Sequence, residues 1–410
     1  MTSTAAPTLP NMSPSTPVGP TAPVASGAPR LPFIDALRGL ACLGVIFCHV
    51  HAYWLNSFRS HGWNFTTLVT RVAGWGGKGV DLFIVLSGFC LFWPVVRKGP
   101  TLPLETGKFY RRRARRILPV YYAGLVLCTA LVLVPVLQPM LVARPIRLSD
   151  IMAYLFLVQP FSTETIGSIN GSYWSLSLEV QLYLVFPLLL ILARRMGLRA
   201  VIAVGAGAAM VSEMAILLAT RGGHKPQWAA LLPAHLPACW ILFICGMLAA
   251  RLVSRPLPGQ ARKAALLAAA LLPICVPLQP LGPRFAVVDN ALWGVLFACV
   301  VIAAASVPPS AFIRYSRLGF LTWIGTISYS LYVLHQPALL LSARLVQSLH
   351  LPVLATFAVA TPLWLVPAIG LAYLFFTRFE RPFMGPARGP RSRTAEAPDT
   401  CPAEASILQT

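Results

Sequence analysis

Arg38 and His49 stand eleven residues apart in the apolar run FIDALRGLACLGVIFCHV. On a helix that spacing separates them by about 16 Å along the axis and by roughly 20° around it. Both side chains therefore leave one face at different heights. A guanidinium fork matches the geometry of phosphate oxygens. An imidazole titrates near neutral pH and suits removal of a proton from a hydroxyl. One helix face thus offers an anion anchor and a base. Other polar groups recur at helical spacing in equally apolar runs. Ser175, Glu179 and Tyr183 are spaced by four, with Trp174 just ahead of them. Tyr329, Tyr332 and His335 are spaced by three. Asp81 and Gly88 are seven apart, with Ser87 beside the glycine.

The elements that carry these groups follow from composition. The 410 residues are 57% hydrophobic and 11% charged, with mean hydropathy +0.70. Soluble domains are about 45–50% apolar and about 25% charged. This excludes a soluble nucleotide-binding enzyme, a disulfide scaffold and a disordered regulator. The reading is an all-α polytopic membrane protein with about ten transmembrane helices and no soluble domain. Apolar runs lie near 32–52, 79–97, 117–137, 174–193, 199–219, 231–253, 262–281, 286–306, 318–343 and 352–377. A shorter apolar piece, 150–161, reads as a re-entrant or interfacial helix. Residues 1–29 and 384–410 read as disordered cytoplasmic tails around a membrane domain over 30–383.

The net charge of +21 could signal nucleic acid, but its distribution argues otherwise. With the N-terminus placed in the cytoplasm, 23 Lys and Arg fall on that side and nine on the other. Arg38, inside the first helix, completes the count. That bias is a positive-inside signal, so nucleic acid is not expected as a partner. The same topology puts His49, Asp81, Glu179 and His335 on four helices, all in the outer half of the membrane. Ionisable groups there are expensive and mark function by default. A shared polar cavity opening outward accounts for the convergence. Plainer alternatives stay open: Asp81 as a helix N-cap, Ser87-Gly88 as a packing contact. On the inner side KFYRRRARRILPVYY is either an anchor or a phosphate clamp, with Arg115 and Arg116 nearest the membrane. Cysteines at eight apolar positions read as packing residues, with Cys401 in the tail. The GGKG at Gly76–Gly79 lacks the Ser or Thr of a phosphate loop. No spacing fits a metal site, so no metal is expected.

With these motifs in hand, the chain resembles the membrane-bound acyltransferase-3 family, which contains bacterial O-antigen acetylases and macrolide acyltransferases. The similar pieces are DALRGLACLGVIFCHV, GGKGVDLFIVLSGF, FYRRRARRILPVYY, SYWSLSLEVQLYLVFP, ISYSLYVLHQP and FERP, in the family's order over about 31–383. Ile84 stands where the family usually has a second Phe. The esterase-like extracytoplasmic domain of some members has no counterpart here. The resemblance implies ten helices and transfer of an acyl group from acyl-CoA, acetyl-CoA foremost, to a hydroxyl. No bound cofactor is implied; acyl-CoA is a co-substrate. His49 would be the general base, with Glu179 or Asp81 orienting its imidazole. Arg38, Arg115 and Arg116 would hold the CoA phosphates. Trp174, Ser175, Tyr183, Tyr332, His335, Ser87 and Gly88 would line the acceptor pocket. The acceptor would be a sugar or a glycosylated secondary metabolite, reached in the cell membrane. The rival reading is a proton-coupled transporter, which also suits polar groups within the membrane.

Overall fold

The computed structural model describes residues 31–55, 72–99, 105–220, 236–278, 286–314, 316–352, 355, 358–359 and 361–384. Among them every regular element is helical. The expected tails fall outside the described residues, Met384 apart. Helix α1 (Pro32–Val50) opens on a proline, whose fixed φ and missing N–H suit a first turn. It passes into a π-helical turn, His51–Leu55. Helices α2 (Gly79–Lys98) and α3 (Thr106–Leu133) follow. Helix α4 spans Trp174–Thr220, too long for one crossing at about 20 residues each. It leaves helical geometry at Gly197 (φ 81°), a conformation open to glycine, which divides it near the two expected runs. Then come α5 (Leu236–Ser254), α6 (Gln260–Leu278), α7 (Ala286–Ala305), α8 (Ser316–Ser348) and α9 (Thr361–Phe375).

Seven segments among the described residues are long and apolar enough to cross a membrane; one, Gly171–Ala219, holds both parts of α4. The protein is a multi-pass membrane protein. Helices α6 and α8 fill the two other expected runs but are not among the seven. Charged residues open α6, and Thr, Ser, Tyr and His interrupt α8. One expected boundary moves far. Helix α3 starts at Thr106 rather than near 117, because the basic run Lys108–Arg116 stays helical. The arginines are therefore helix residues, and their direction obeys helical periodicity. The short piece near 150–161 forms a helix, Leu148–Leu155, and a 3-10 turn, Gln159–Phe161. Arg144 fastens it with two hydrogen bonds to the buried Asp150, at 2.7 and 2.8 Å.

Helix α1 lies between α2 and α8, and α5 packs against α2, α4 and α7. Lipid tails are as apolar as leucine, so helix association relies on close packing, and small residues permit it. At the α1–α8 crossing, a Cβ on Gly39 would overlap the carbonyl of Leu321, and one on Gly325 that of Asp35. At the α2–α5 crossing, Gly88 meets the carbonyl of Phe243 and Gly246 that of Val85 in the same way. Each crossing brings backbone against backbone. Gly325→Val and Gly246→Val should each destabilise the protein by at least about 1–3 kcal/mol, since whole helices must part. Gly207→Val, where a Cβ meets nothing within 4 Å, should change little. Thermal unfolding in mild detergent, followed by size exclusion, checks the contrast.

Candidate active site

A cavity of about 780 Å³, open mouth included, runs between α1, α2, α3, α4 and α8. That volume is in the range of small-molecule sites. Helix α2 lines it with Val80, Phe83, Ile84, Ser87, Cys90 and Leu91, one stripe of a helix face about 16 Å long. Arg38 of α1 and Arg113 and Arg116 of α3 line it as well, close to Cys90. Toward the start of α2 the lining becomes hydroxylic. There Ser175 Oγ and Tyr332 Oη lie 2.6 Å apart, and Phe83 packs edge-on to Tyr332. Ser175, Glu179 and Tyr183 all face the cavity, as their spacing predicted. Tyr183 donates a 2.5 Å hydrogen bond to Glu179. Nε of Arg38 and of Arg113 is buried without a hydrogen-bond partner among the described residues. Buried donors are normally satisfied, so the arginine end has unmet capacity for an anion.

His49 and His335 do not line this cavity. They sit beyond Tyr332, with His335 Nε2 3.4 Å from His49 Nδ1. The rings meet edge to face at 4.9 Å between centroids. His335 is fully buried. Beside it Gln336 donates to Tyr53 Oη (2.8 Å) and accepts from the backbone N–H of Ser172 (2.5 Å). Asn170 donates to the carbonyl of Val333. These bonds tie the loop before α4 to α8 around the histidine pair.

The four ionisable groups expected in one cavity are thus divided among three places. Asp81 faces Lys78 (2.9 Å), and Lys78 also reaches Asp289 of α7 (2.5 Å). Glu179 bonds Tyr183. Neither carboxylate is hydrogen-bonded to His49. Gly88 is a packing glycine against α5, while its neighbour Ser87 lines the cavity. Trp174 is partly buried at the start of α4 and is not a lining residue. Arg115 is exposed and turned away, since two residues from Arg113 means about 200° around the helix. Arg113, unassigned by the sequence reading, takes its place three residues before Arg116. Glu380 was also missed. It ends the π-helical turn Phe376–Glu380, is buried, and accepts a 2.6 Å hydrogen bond from Ser330 Oγ. Arg38 and Arg116 are the cations that act on it.

Comparison with known proteins agrees with this architecture. A family described as "Acyltransferase domain", acyltransferase 3, matches residues 31–377, so the chain belongs to that family. It is 26% identical over 319 residues to acyltransferase MdmB of Streptomyces mycarofaciens, covering 75% of this chain and 78% of that one. It is 27% identical over 350 residues to the putative peptidoglycan O-acetyltransferase YrhL of Bacillus subtilis, covering 79% of this chain and 50% of YrhL. With O-acetyltransferase OatA of Staphylococcus aureus it shares 28% identity over 174 residues, 40% of this chain and 25% of OatA. The chain therefore spans half of YrhL and a quarter of OatA. No solved structure matches it significantly.

The Lys78 cluster gives a stability test. Its side chains are only 15–20% exposed. Removing one partner of a buried ion pair leaves an uncompensated charge, at a cost of about 3–5 kcal/mol. Lys78→Met should lower stability by that order, measured as a fall in the unfolding midpoint in mild detergent. Lys78→Arg should retain most of it.

Proposed function

We propose that this acyltransferase moves an acyl group, acetyl first among candidates, from cytoplasmic acyl-CoA to a hydroxyl of a carbohydrate or glycosylated secondary metabolite across the cell membrane. The supporting observation is a single cavity with Arg38, Arg113 and Arg116 along it, whose hydroxylic end leads to the His49–His335 pair. The excess of Lys and Arg on one side assigns the arginine end, and both chain termini, to the cytoplasm. CoA phosphates would sit on the arginine forks, which have unmet donors. The pantetheine arm would then follow the apolar stripe of α2 toward Tyr332.

The chemistry needs little beyond a base and alignment. A thioester has a good leaving group, so the difficult part is the nucleophile. His49 takes the proton of the acceptor hydroxyl as its oxygen attacks the thioester carbonyl. The carbon–sulfur bond breaks, and the proton on His49 passes to the departing sulfur. The histidine ends neutral and CoA leaves as the thiol. Trp174, at the start of α4, offers an indole face for a sugar ring. Relatives named for a macrolide-length chain and for peptidoglycan O-acetylation do not decide the acceptor between them.

Comparative mass spectrometry of glycans and metabolites from cells with and without the protein is the direct test. An acceptor gaining the mass of one acyl group is expected, and His49→Ala should abolish the gain. An acceptor that only changes compartment, unmodified, would establish transport instead. Among the arginines, Arg113→Ala and Arg116→Ala should each raise KM for acyl-CoA about tenfold or more, since a charge-assisted hydrogen bond contributes about 1.5–3 kcal/mol. Arg115→Ala should leave KM nearly unchanged. Equal effects at all three would reject the cavity as the donor site.

A further inference from the structure

Two carbonyl groups fix the protons of the histidine pair. Nδ1 of His49 lies 2.9 Å from the carbonyl oxygen of Val45, one turn back on α1. Nδ1 of His335 lies 2.6 Å from the carbonyl oxygen of Tyr332 on α8. A peptide carbonyl only accepts, so each of these nitrogens carries a hydrogen and donates it. In neutral His335 the Nε2 atom is then a bare lone pair. That lone pair stands 3.4 Å from Nδ1 of His49. The His49 N–H is shared between the Val45 carbonyl and this acceptor. Neutral His49 consequently keeps its own lone pair on Nε2. No described residue hydrogen-bonds that atom.

We propose that His335 is a positioning residue: by accepting from Nδ1–H of His49 it makes Nε2 of His49 the atom that receives the acceptor's proton. This rests on the acyl-transfer reading above and deepens it by naming the base atom and its orienting partner. In serine hydrolases a carboxylate holds the imidazole in the productive tautomer. Here a neutral imidazole does so, adding no net charge to a buried setting where an isolated charge is costly. When Nε2 takes the proton, His49 becomes imidazolium and its bond to His335 becomes charge-assisted. The same Nε2 proton then goes to the departing sulfur. His335 neither gains nor loses a proton in the cycle. Tyr332 joins the two parts of the site, since its carbonyl orients His335 while its hydroxyl meets Ser175.

Two substitutions separate this role from packing. His335→Phe keeps the ring volume and removes the acceptor. His335→Gln replaces the ring but offers a carbonyl oxygen toward His49. The Phe variant should lose about 10²-fold in kcat, with KM for donor and acceptor within about twofold of wild type. The Gln variant should recover most of the loss. An active Phe variant and a poor Gln variant would overturn the proposal. A second measurement needs no variant activity: ¹⁵N-histidine spectra of the full chain in lipid nanodiscs at about pH 8, above the ordinary histidine range. His49 resonances are assigned by their loss in His49→Gln. A hydrogen on Nδ1 and a bare Nε2 are expected. A hydrogen on Nε2 would reject the assignment even in an enzyme that transfers acyl groups. The expected tautomer in a protein that transfers none would reject the acyl-transfer reading and leave this one standing.

Discussion

Backbone-on-backbone contact between α1 and α8 sets the register of the site. Gly39 and Gly325 let the two helices touch where side chains would hold them apart. Because the helices run side by side in the same direction, the match made there persists along them. Arg38 faces the cavity beside Ser328 and Tyr329, and one to two turns further on His49 meets His335. A slide of one residue, about 1.5 Å along and 100° around, would separate the imidazoles. Neither histidine is placed by a loop. Each belongs to a packed helix, and rigid elements hold reacting groups more closely than mobile ones do.

Electrostatics divides the same framework into compartments. Three arginines gather where Glu179 and Glu380 are close, so cations dominate without being unopposed. The Lys78 cluster joins α2 to α7 at the histidine end of α2 and confines two carboxylates to one lysine. Between these regions the cavity wall is apolar along α2 and hydroxylic at Tyr332. Charge recognition, passage and proton transfer thereby occupy separate positions, and no carboxylate is bonded to the imidazoles.

Much of this was legible in the sequence, for physical reasons. Apolar runs gave the helices because lipid demands them, and even the break in α4 sits between two predicted runs. The periodicity of Ser175, Glu179 and Tyr183 placed all three on the cavity. Ranking the arginines by depth alone selected Arg115; applying the helical angle to the same six residues would have selected Arg113 with Arg116. Glu380 was hidden because a lone glutamate in Phe-Glu-Arg-Pro, ending the last apolar run, looks like an interfacial charge. Lys78 and Asp289 are 211 residues apart, and no local pattern connects them. Nor could one chain position reveal that His49 is met by another histidine rather than by Asp81 or Glu179. Such pairings depend on how helices are arranged, and the sequence of each helix does not contain that arrangement.

The lining stripe of α2 has a bearing on transport across the bilayer. Its length of about 16 Å is roughly half of a hydrocarbon core about 30 Å thick. A donor anchored by its phosphates at one face therefore brings its reactive carbon to mid-membrane simply by lying in the groove. No carrier cycle or rocking of helices is required for that half of the journey. The reaction becomes vectorial through geometry: the group enters attached to one molecule from one side and leaves attached to another facing the opposite side.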